Sequence, residues 1–84
     1  MKLYLSLKAD KQLRKLPKKT YELIIEKIDL LKKQPFSSHA KKLQGRNGWR
    51  VRMGDYRILY TVNSNKTELT ILSVAHRKDA YRFN

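Results

Sequence analysis

The chain has 84 residues, enough for one small domain that buries roughly 60–65% of the surface of its unfolded chain. It has no cysteine, which excludes a disulfide framework and a thiolate metal site, and no apolar run approaches the roughly 20 residues that span a membrane. Twenty Lys and Arg against seven Asp and Glu give a net charge of +13, spread over both halves of the chain, which predicts a polyanionic partner.

The chain begins with the pattern of a strand and then of a short helix. Three leucines alternate with polar residues and predict a strand with one buried face: Leu3, Leu5 and Leu7. Helical spacing follows at Ala9, Leu13 and Leu16. Pro17 ends this helix, because its ring has no N–H and clashes with the preceding turn.

Residues 18–34 predict the clearest helix of the chain, and Pro35 ends it. One broad apolar face recurs at helical spacing: Tyr21, Ile24, Ile25, Ile28 and Leu31. Leu23 and Leu30 lie on the other side of the helix, seven residues apart. They either pack against the first helix in an αα-hairpin or form a stripe that binds a partner protein.

Residues 35–48, PFSSHAKKLQGRNG, predict a polar loop. Its basic residues Lys41, Lys42 and Arg46 belong to a stretch, from Leu30 to Gly54, that contains no acidic residue. This basic loop leads directly into a strand that bears arginines, which favours a binding surface over a merely solvated charge run.

The C-terminal half predicts an antiparallel meander of three strands. Two alternating segments flank Gly54-Asp55, a pair typical of a type II′ hairpin turn. The third strand, residues 67–75, is apolar on both sides in its middle, which predicts an interior strand. The ending HRKDAYRFN predicts a turn or short helix. The sequence therefore predicts a single α+β domain, residues 1–84, with the order β-α-α-β-β-β and both helices on one face of the sheet.

Alternation along the meander decides which side chains share the open face of that sheet. If Val51, Met53, Ile58 and Tyr60 lie under the helices together with Trp49, the opposite face carries Arg50, Arg52 and Arg57. Neighbouring strands lie about 4.8 Å apart, so these guanidinium groups can converge on one small anion.

The chain lacks the motifs of metal-dependent and nucleotide-dependent catalysis. It has no Gly-rich phosphate loop, its carboxylates are scattered, and His39 and His76 are not spaced as a metal pair. We therefore expect no metal and no small-molecule cofactor. A metal-free route exists for RNA, in which the 2′-OH attacks the adjacent phosphate while cations hold the developing charge. A general base and a general acid must still move the protons.

The order of these motifs resembles the RelE/ParE superfamily of toxins from toxin–antitoxin pairs. The resemblance rests on KKLQGRNGWRVRMGDYRILY and LTILSVAHRKDAYR, and it extends over nearly the whole chain. It implies that Arg57 contacts the scissile phosphate and that Arg77 stabilises the transition state. It also implies that Tyr81 stacks on a base or takes part in proton transfer. Arg50 and Arg52 stand where other members carry lysines.

The chain departs from the family pattern in ways that affect proton transfer. The hairpin between Arg52 and Arg57 and the gap from Arg77 to Tyr81 are each two residues shorter than in well-known RelE members. Arginine in place of lysine removes a candidate general base, which brings forward Tyr81 and also His76, since imidazole titrates near neutral pH. RNA contacts are expected from five further basic residues: Lys41, Lys42, Arg46, Lys78 and Arg82.

The resemblance implies a cytoplasmic, ribosome-dependent mRNA endoribonuclease that cuts in the ribosomal A site, giving a 2′,3′-cyclic phosphate and inhibiting translation. It also implies a RelB-like antitoxin with an acidic segment as partner, for which Leu23 and Leu30 are the predicted dock, and no membrane association. Two alternatives stay open. One is a ParE-like, non-nucleolytic toxin that poisons DNA gyrase, and the other is an RNA-binding module without catalysis.

Overall fold

The computed structural model describes residues 1–37 and 39–80, with the backbone alone of Asp79 and Ala80. Its elements are, in chain order, β1 (Lys2–Leu5), α1 (Leu7–Arg14), α2 (Lys18–Lys33), β2 (Lys41–Lys42), β3 (Trp49–Met53), β4 (Tyr56–Val62), β5 (Glu68–His76) and α3 (Arg77–Ala80). The predicted α+β class is confirmed. The segment predicted as a polar loop differs, because it contains the short strand β2.

One sheet of five strands has the spatial order β1-β5-β4-β3-β2. β5 pairs in parallel with β1, and the other neighbouring strands pair antiparallel. β5 is therefore an interior strand, as its apolar middle predicted. The N-terminal strand is not a neighbour of the meander's first strand but closes the far edge, next to the last strand of the chain.

The core lies between the two long helices and one face of the sheet. α1 contributes Ala9 and Leu13 to it, and α2 contributes Ile24, Ile28 and Leu31. The sheet contributes the residues of the predicted parity, with Trp49 and Met53 packed against the core's margin: Val51, Ile58, Tyr60, Leu69, Ile71 and Val74. The other face of the sheet carries the arginines of β3 and β4, as the alternation predicted.

Three expectations about buried side chains were wrong. Leu3 and Leu5 are 37% and 40% exposed, because β1 is an edge strand at the margin of the helical layer, and Leu7 begins α1 and is 71% exposed. Tyr21, near the start of α2, is also exposed. Leu23 and Leu30 are 48% and 58% exposed and therefore do not pack into an αα-hairpin.

A register irregularity between β4 and β5 explains why the middle of β5 is apolar on both sides. Leu59 pairs with Ser73, whereas the next residue, Tyr60, pairs with Ile71, so Leu72 is extra on β5. Side chains of α1 and of its N-cap residue satisfy the backbone groups beside this bulge: Ser6 Oγ donates to the Leu72 carbonyl at 2.7 Å, and Gln12 Oε1 accepts from the Val74 N–H at 2.7 Å. Ile71 and Val74 thereby both face the core.

One backbone angle and one hydrogen bond position the residues around the hairpin and the loop before it. Gly54 has φ +60°, the positive value that the first central residue of a type II′ turn requires. The Tyr60 hydroxyl donates to the Pro35 carbonyl and fastens the chain after α2 to β4. Burial raises the pKa of Tyr60 to about 12, because the phenolate would lose its hydration.

Among the described residues, no helix is both long and apolar enough to cross a bilayer.

Candidate functional site

A cleft of about 560 Å³ lies where β3 and β4 meet the end of β2. Five cationic side chains and one histidine line it, and the lining contributed by the described residues includes no carboxylate: Lys27, His39, Lys41, Arg50, Val51, Arg52 and Arg57. A concave, strongly cationic surface of this size fits a phosphate group with its attached nucleoside. We call it the cationic cleft.

The pairing register of three strands brings these cations together. A two-residue turn places Arg52 directly opposite Arg57, and β2 places Lys41 directly opposite Arg50. Partners in such pairs have Cβ atoms about 4.5–5.5 Å apart on the same face of the sheet. The fold therefore holds like charges next to each other, an arrangement that destabilises the free protein and favours an anion between them.

Arg57 and Arg52 differ in how firmly they are held. Arg57 lies on the interior strand β4 between Arg52 and Ala75, and its Nε is buried. Arg52 is exposed at the end of β3, beyond the reach of β2. No described carboxylate lies within 4.0 Å of Arg50 or Arg52. The planar forks of Arg50 and Arg52 are therefore available to bind phosphate oxygens in pairs.

The segment after β5 lies beside the β3–β4 turn. The backbone N–H of Arg77 donates to the Asp55 carbonyl at 2.6 Å, and the Arg77 side chain is exposed. Lys78 is exposed as well, and its backbone N–H donates to His76 Nδ1 at 3.2 Å. The turn thus brings Arg77 to the end of the sheet at which Arg52 and Arg57 lie.

The structure places the two histidines differently from what the sequence analysis favoured. His76 pairs with Tyr56, whose parity is that of the core face, and the two rings meet edge to face with centroids 5.3 Å apart. His76 therefore lies on the opposite side of the sheet from Arg57. His39, which was not among the predicted site residues, lines the cationic cleft.

The remaining predicted RNA contacts are spread around the site. Lys42 is exposed on β2 but shares the parity of Trp49 instead of the parity of Arg50. Arg46 is exposed in the turn that the Leu43 N–H closes on the Gly48 carbonyl. Tyr81 and Arg82 lie outside the described residues.

Sequence reasoning missed Lys27 as well as His39. Lys27 belongs to α2 and lies four residues after Leu23 and three before Leu30, so these three side chains share one flank of the helix. Of these three side chains, Lys27 lines the cationic cleft, so the flank lies beside it. Helical spacing puts these three residues on one flank, but nothing in the sequence indicates which strand that flank approaches.

The chemistry available in the cationic cleft is charge stabilisation with little proton transfer. Arginine stays protonated near neutral pH and cannot serve as a general base, whereas the imidazole of His39 can accept or donate a proton. Among the described side chains, those of residues 1–37 and 39–78, no three of the metal-binding types lie close enough together to hold a metal ion.

Comparison with known proteins identifies related chains. Residues 3–81 match the family described as "ParE toxin of type II toxin-antitoxin system, parDE". The chain is 30% identical to a chain of the archaeal RelE–RelB complex of Pyrococcus horikoshii, covering 90% of this chain and 93% of that one with a TM-score of 0.78. It is 28% identical to a chain of the RelBE2 toxin–antitoxin complex of Mycobacterium tuberculosis, with coverage of 90% and 96% and a TM-score of 0.79.

More distant structures agree on the fold. The isolated RelE toxin of E. coli is 22% identical, with 96% of this chain and 95% of that chain covered and a TM-score of 0.78. Among curated protein sequences nothing gives a significant match.

Proposed function

Because this chain belongs to the ParE toxin family of type II toxin–antitoxin systems, within the RelE/ParE superfamily, we propose that it is a RelE-type toxin that cleaves mRNA in the ribosomal A site. The observation that supports this activity is the cationic cleft, in which Arg50, Arg52 and Arg57 converge from neighbouring strands. A toxin that acts only by binding a protein needs no such convergence of guanidinium groups on one small volume.

The proposed reaction is a metal-free transesterification. The 2′-oxygen attacks the adjacent phosphorus, the bond to the 5′-oxygen breaks, and the products carry a 2′,3′-cyclic phosphate and a 5′-OH. A base takes the 2′-OH proton and an acid protonates the leaving oxygen. Arg57 and Arg52 hold the phosphorane charge, Arg77 joins them from the end of the sheet, and Arg50 orients the RNA backbone.

Proton transfer has two candidates in this proposal. Tyr81 keeps the role that the family resemblance implies. His39 is added because its side chain lines the cationic cleft, whereas His76 lies on the core face of the sheet. Comparing the cleavage rates of Tyr81→Phe and His39→Ala in a translation extract assigns the role, since only the loss of the acting group lowers the rate by about 10²-fold or more.

The activity is tested by mapping mRNA 5′ ends in a translation extract. Wild type is expected to produce cuts within ribosome-covered codons, and the Arg57→Ala/Arg77→Ala double variant is expected to produce none. A matched control is Arg14→Ala, because Arg14 lies on α1 and pairs with Asp10 at 3.1 Å, away from the cationic cleft. Identical cleavage by wild type and the double variant contradicts the proposal.

A ParE-type toxin that poisons DNA gyrase is the second candidate, because the matching family is described by its parDE members. If cells that express this chain show gyrase-linked DNA cleavage while their mRNA stays intact, the chain is a ParE-type toxin. The arginine variants distinguish the two as well, since a gyrase poison needs no phosphorane-stabilising pair.

We also propose a RelB-like antitoxin as partner, since chains similar to this one form complexes with RelB. Its dock is the flank of α2 formed by Leu23, Lys27 and Leu30, where two exposed leucines lie on either side of a cation of the cleft. An amphipathic segment with acidic residues fits this flank and covers the cationic cleft. Leu23→Lys and Leu30→Lys are expected to weaken neutralisation by the antitoxin without lowering toxicity.

A further inference from the structure

A second cleft lies on the same open face of the sheet, at the opposite end of β4 from Arg57. Its volume is about 750 Å³, and its lining includes Tyr4, Thr61, Glu68 and Thr70. Arg57 and Thr61 lie four residues apart on β4 and on the same face of the sheet, so at about 3.3 Å per residue the two positions are roughly 13 Å apart. A single RNA strand that binds the cationic cleft can therefore continue along this face.

The floor of the second cleft is a row of small side chains with an aromatic ring at its end. Tyr4 pairs with Thr70, and Thr70 pairs with Thr61. Gly48 lies beyond Thr61, where an added Cβ would be 3.5 Å from the Thr61 methyl group. Three strand spacings make this shelf about 14 Å wide. Tyr4 is 45% exposed and lines the cleft, so its side chain is accessible to a ligand there.

Glu68 adds a charge that the rest of the sheet does not have. It is the one carboxylate on the five described strands of a chain whose net charge is +13. No described lysine or arginine lies within 4.0 Å of it, although its cross-strand partner is Lys2. One oxygen accepts a long hydrogen bond of 3.3 Å from Asn63 Nδ2. The other oxygen is available to a ligand.

A carboxylate next to a bound RNA strand repels the phosphates of that strand, but it accepts hydrogen bonds from the N–H groups at the edge of a base. Guanine presents two such donors side by side on its Watson–Crick edge, whereas uracil presents one. Sequence-specific RNA recognition commonly joins base stacking on an aromatic ring with hydrogen bonds to that edge. Tyr4 and Glu68 supply these two contacts at adjacent strands.

We propose that the second cleft is a nucleobase subsite that selects guanine, with Tyr4 stacking on the base and Glu68 accepting from its Watson–Crick edge. This inference rests on the proposed function, since it assigns the base preference of the RNA that the cationic cleft binds. Its chemistry does not depend on cleavage, so it is tested by binding.

The experiment measures the fluorescence anisotropy of short uridine-rich RNAs that carry one central guanosine, adenosine, cytidine or uridine. The RNAs are 2′-O-methylated so that no transesterification occurs. Wild type is expected to bind the guanosine RNA several-fold more tightly than the uridine RNA. Glu68→Gln is expected to abolish the difference, because the amide replaces one acceptor by a donor. Glu22→Gln, on the exposed side of α2, is the matched control.

Tyrosine variants separate stacking from folding. Tyr4→Ala is expected to lower affinity for the guanosine RNA by about tenfold, within the range of base stacking on aromatic rings, and Tyr4→Phe is expected to keep it. Tyr21→Ala is the control, because Tyr21 is 43% exposed but lies on α2. The inference is overturned if Glu68→Gln keeps the wild-type preference, or if Tyr4→Ala binds as tightly as Tyr4→Phe. Absence of mRNA cuts in extracts contradicts the proposed function and leaves this binding result interpretable by itself.

Discussion

Arg52→Gln is expected to make the toxin less active and more stable. The register places Arg52 directly opposite Arg57, and like charges in such a pair destabilise a sheet by roughly 0.2–1 kcal/mol. Removing one charge therefore stabilises the fold by about 0.5 kcal/mol. In a domain of this size that corresponds to a rise in Tm of roughly 2–4 °C.

The loss of activity in the same variant follows from the phosphorane charge. Glutamine keeps a hydrogen-bond donor but loses the positive charge and the two-pronged guanidinium. Deleting one donor from a preorganised anion site costs about 10²-fold in rate, and a similar loss is expected for mRNA cleavage in extracts. Circular dichroism melts measure the stability change, and primer extension measures the cleavage.

Two controls accompany this test: melts at high salt and a variant of an arginine outside the cationic cleft. The stability gain should disappear near 1 M salt, where the Debye length is about 3 Å. Arg14→Gln removes the exposed ion pair with Asp10 on α1. This variant should cleave mRNA at the wild-type rate, and its free energy of unfolding should fall by no more than about 0.5 kcal/mol. If Arg52→Gln melts at a lower temperature than wild type and still cleaves mRNA at the wild-type rate, Arg52 is a structural residue and the reasoning fails.

Three further outcomes follow from individual contacts. Tyr60→Phe removes the hydrogen bond to the half-buried Pro35 carbonyl and should lower the free energy of unfolding by about 1 kcal/mol in urea melts at pH 7. Because burial raises the pKa of Tyr60 to about 12, the stabilising contribution of the neutral phenol is complete below pH 10 and is lost as pH rises through 12. The phenylalanine variant should lack this alkaline loss, and an unchanged slope between pH 10 and 12 rules the explanation out. Gly48→Ala should cost about 2–3 kcal/mol, because φ is +130° and the new Cβ would lie 3.0 Å from the Tyr60 carbonyl oxygen, whereas Gly45→Ala, with open space around it, should cost about 1 kcal/mol. Equal losses at the two glycines would show that close packing at Gly48 is unimportant.

The local pattern of the sequence was sufficient for much of this protein. Period-two alternation around Gly54-Asp55 predicted both the hairpin and the face that carries Arg50, Arg52 and Arg57, because a two-residue turn leaves one register. The spacing of Ile24, Ile28 and Leu31 predicted the buried side of α2, because the 3.6-residue repeat of a helix puts these three side chains on one face. The family followed from the order of these motifs.

Tertiary structure decided what depends on contacts between distant segments. The bulge at Leu72 shifts the alternation of β5 and puts His76 on the core face. The hydrogen bonds beside it come from Ser6, the N-cap residue of α1, and from Gln12 within α1. No pattern within nine residues reveals a bulge whose hydrogen-bond partners lie more than 60 residues away. The exposure of Leu3 and Leu5, and the presence of Lys27 and His39 in the cationic cleft, have the same origin. The sequence determined which side chains share a strand or a helix face, and only the packing of helices and loops against the sheet determined which of those faces meet.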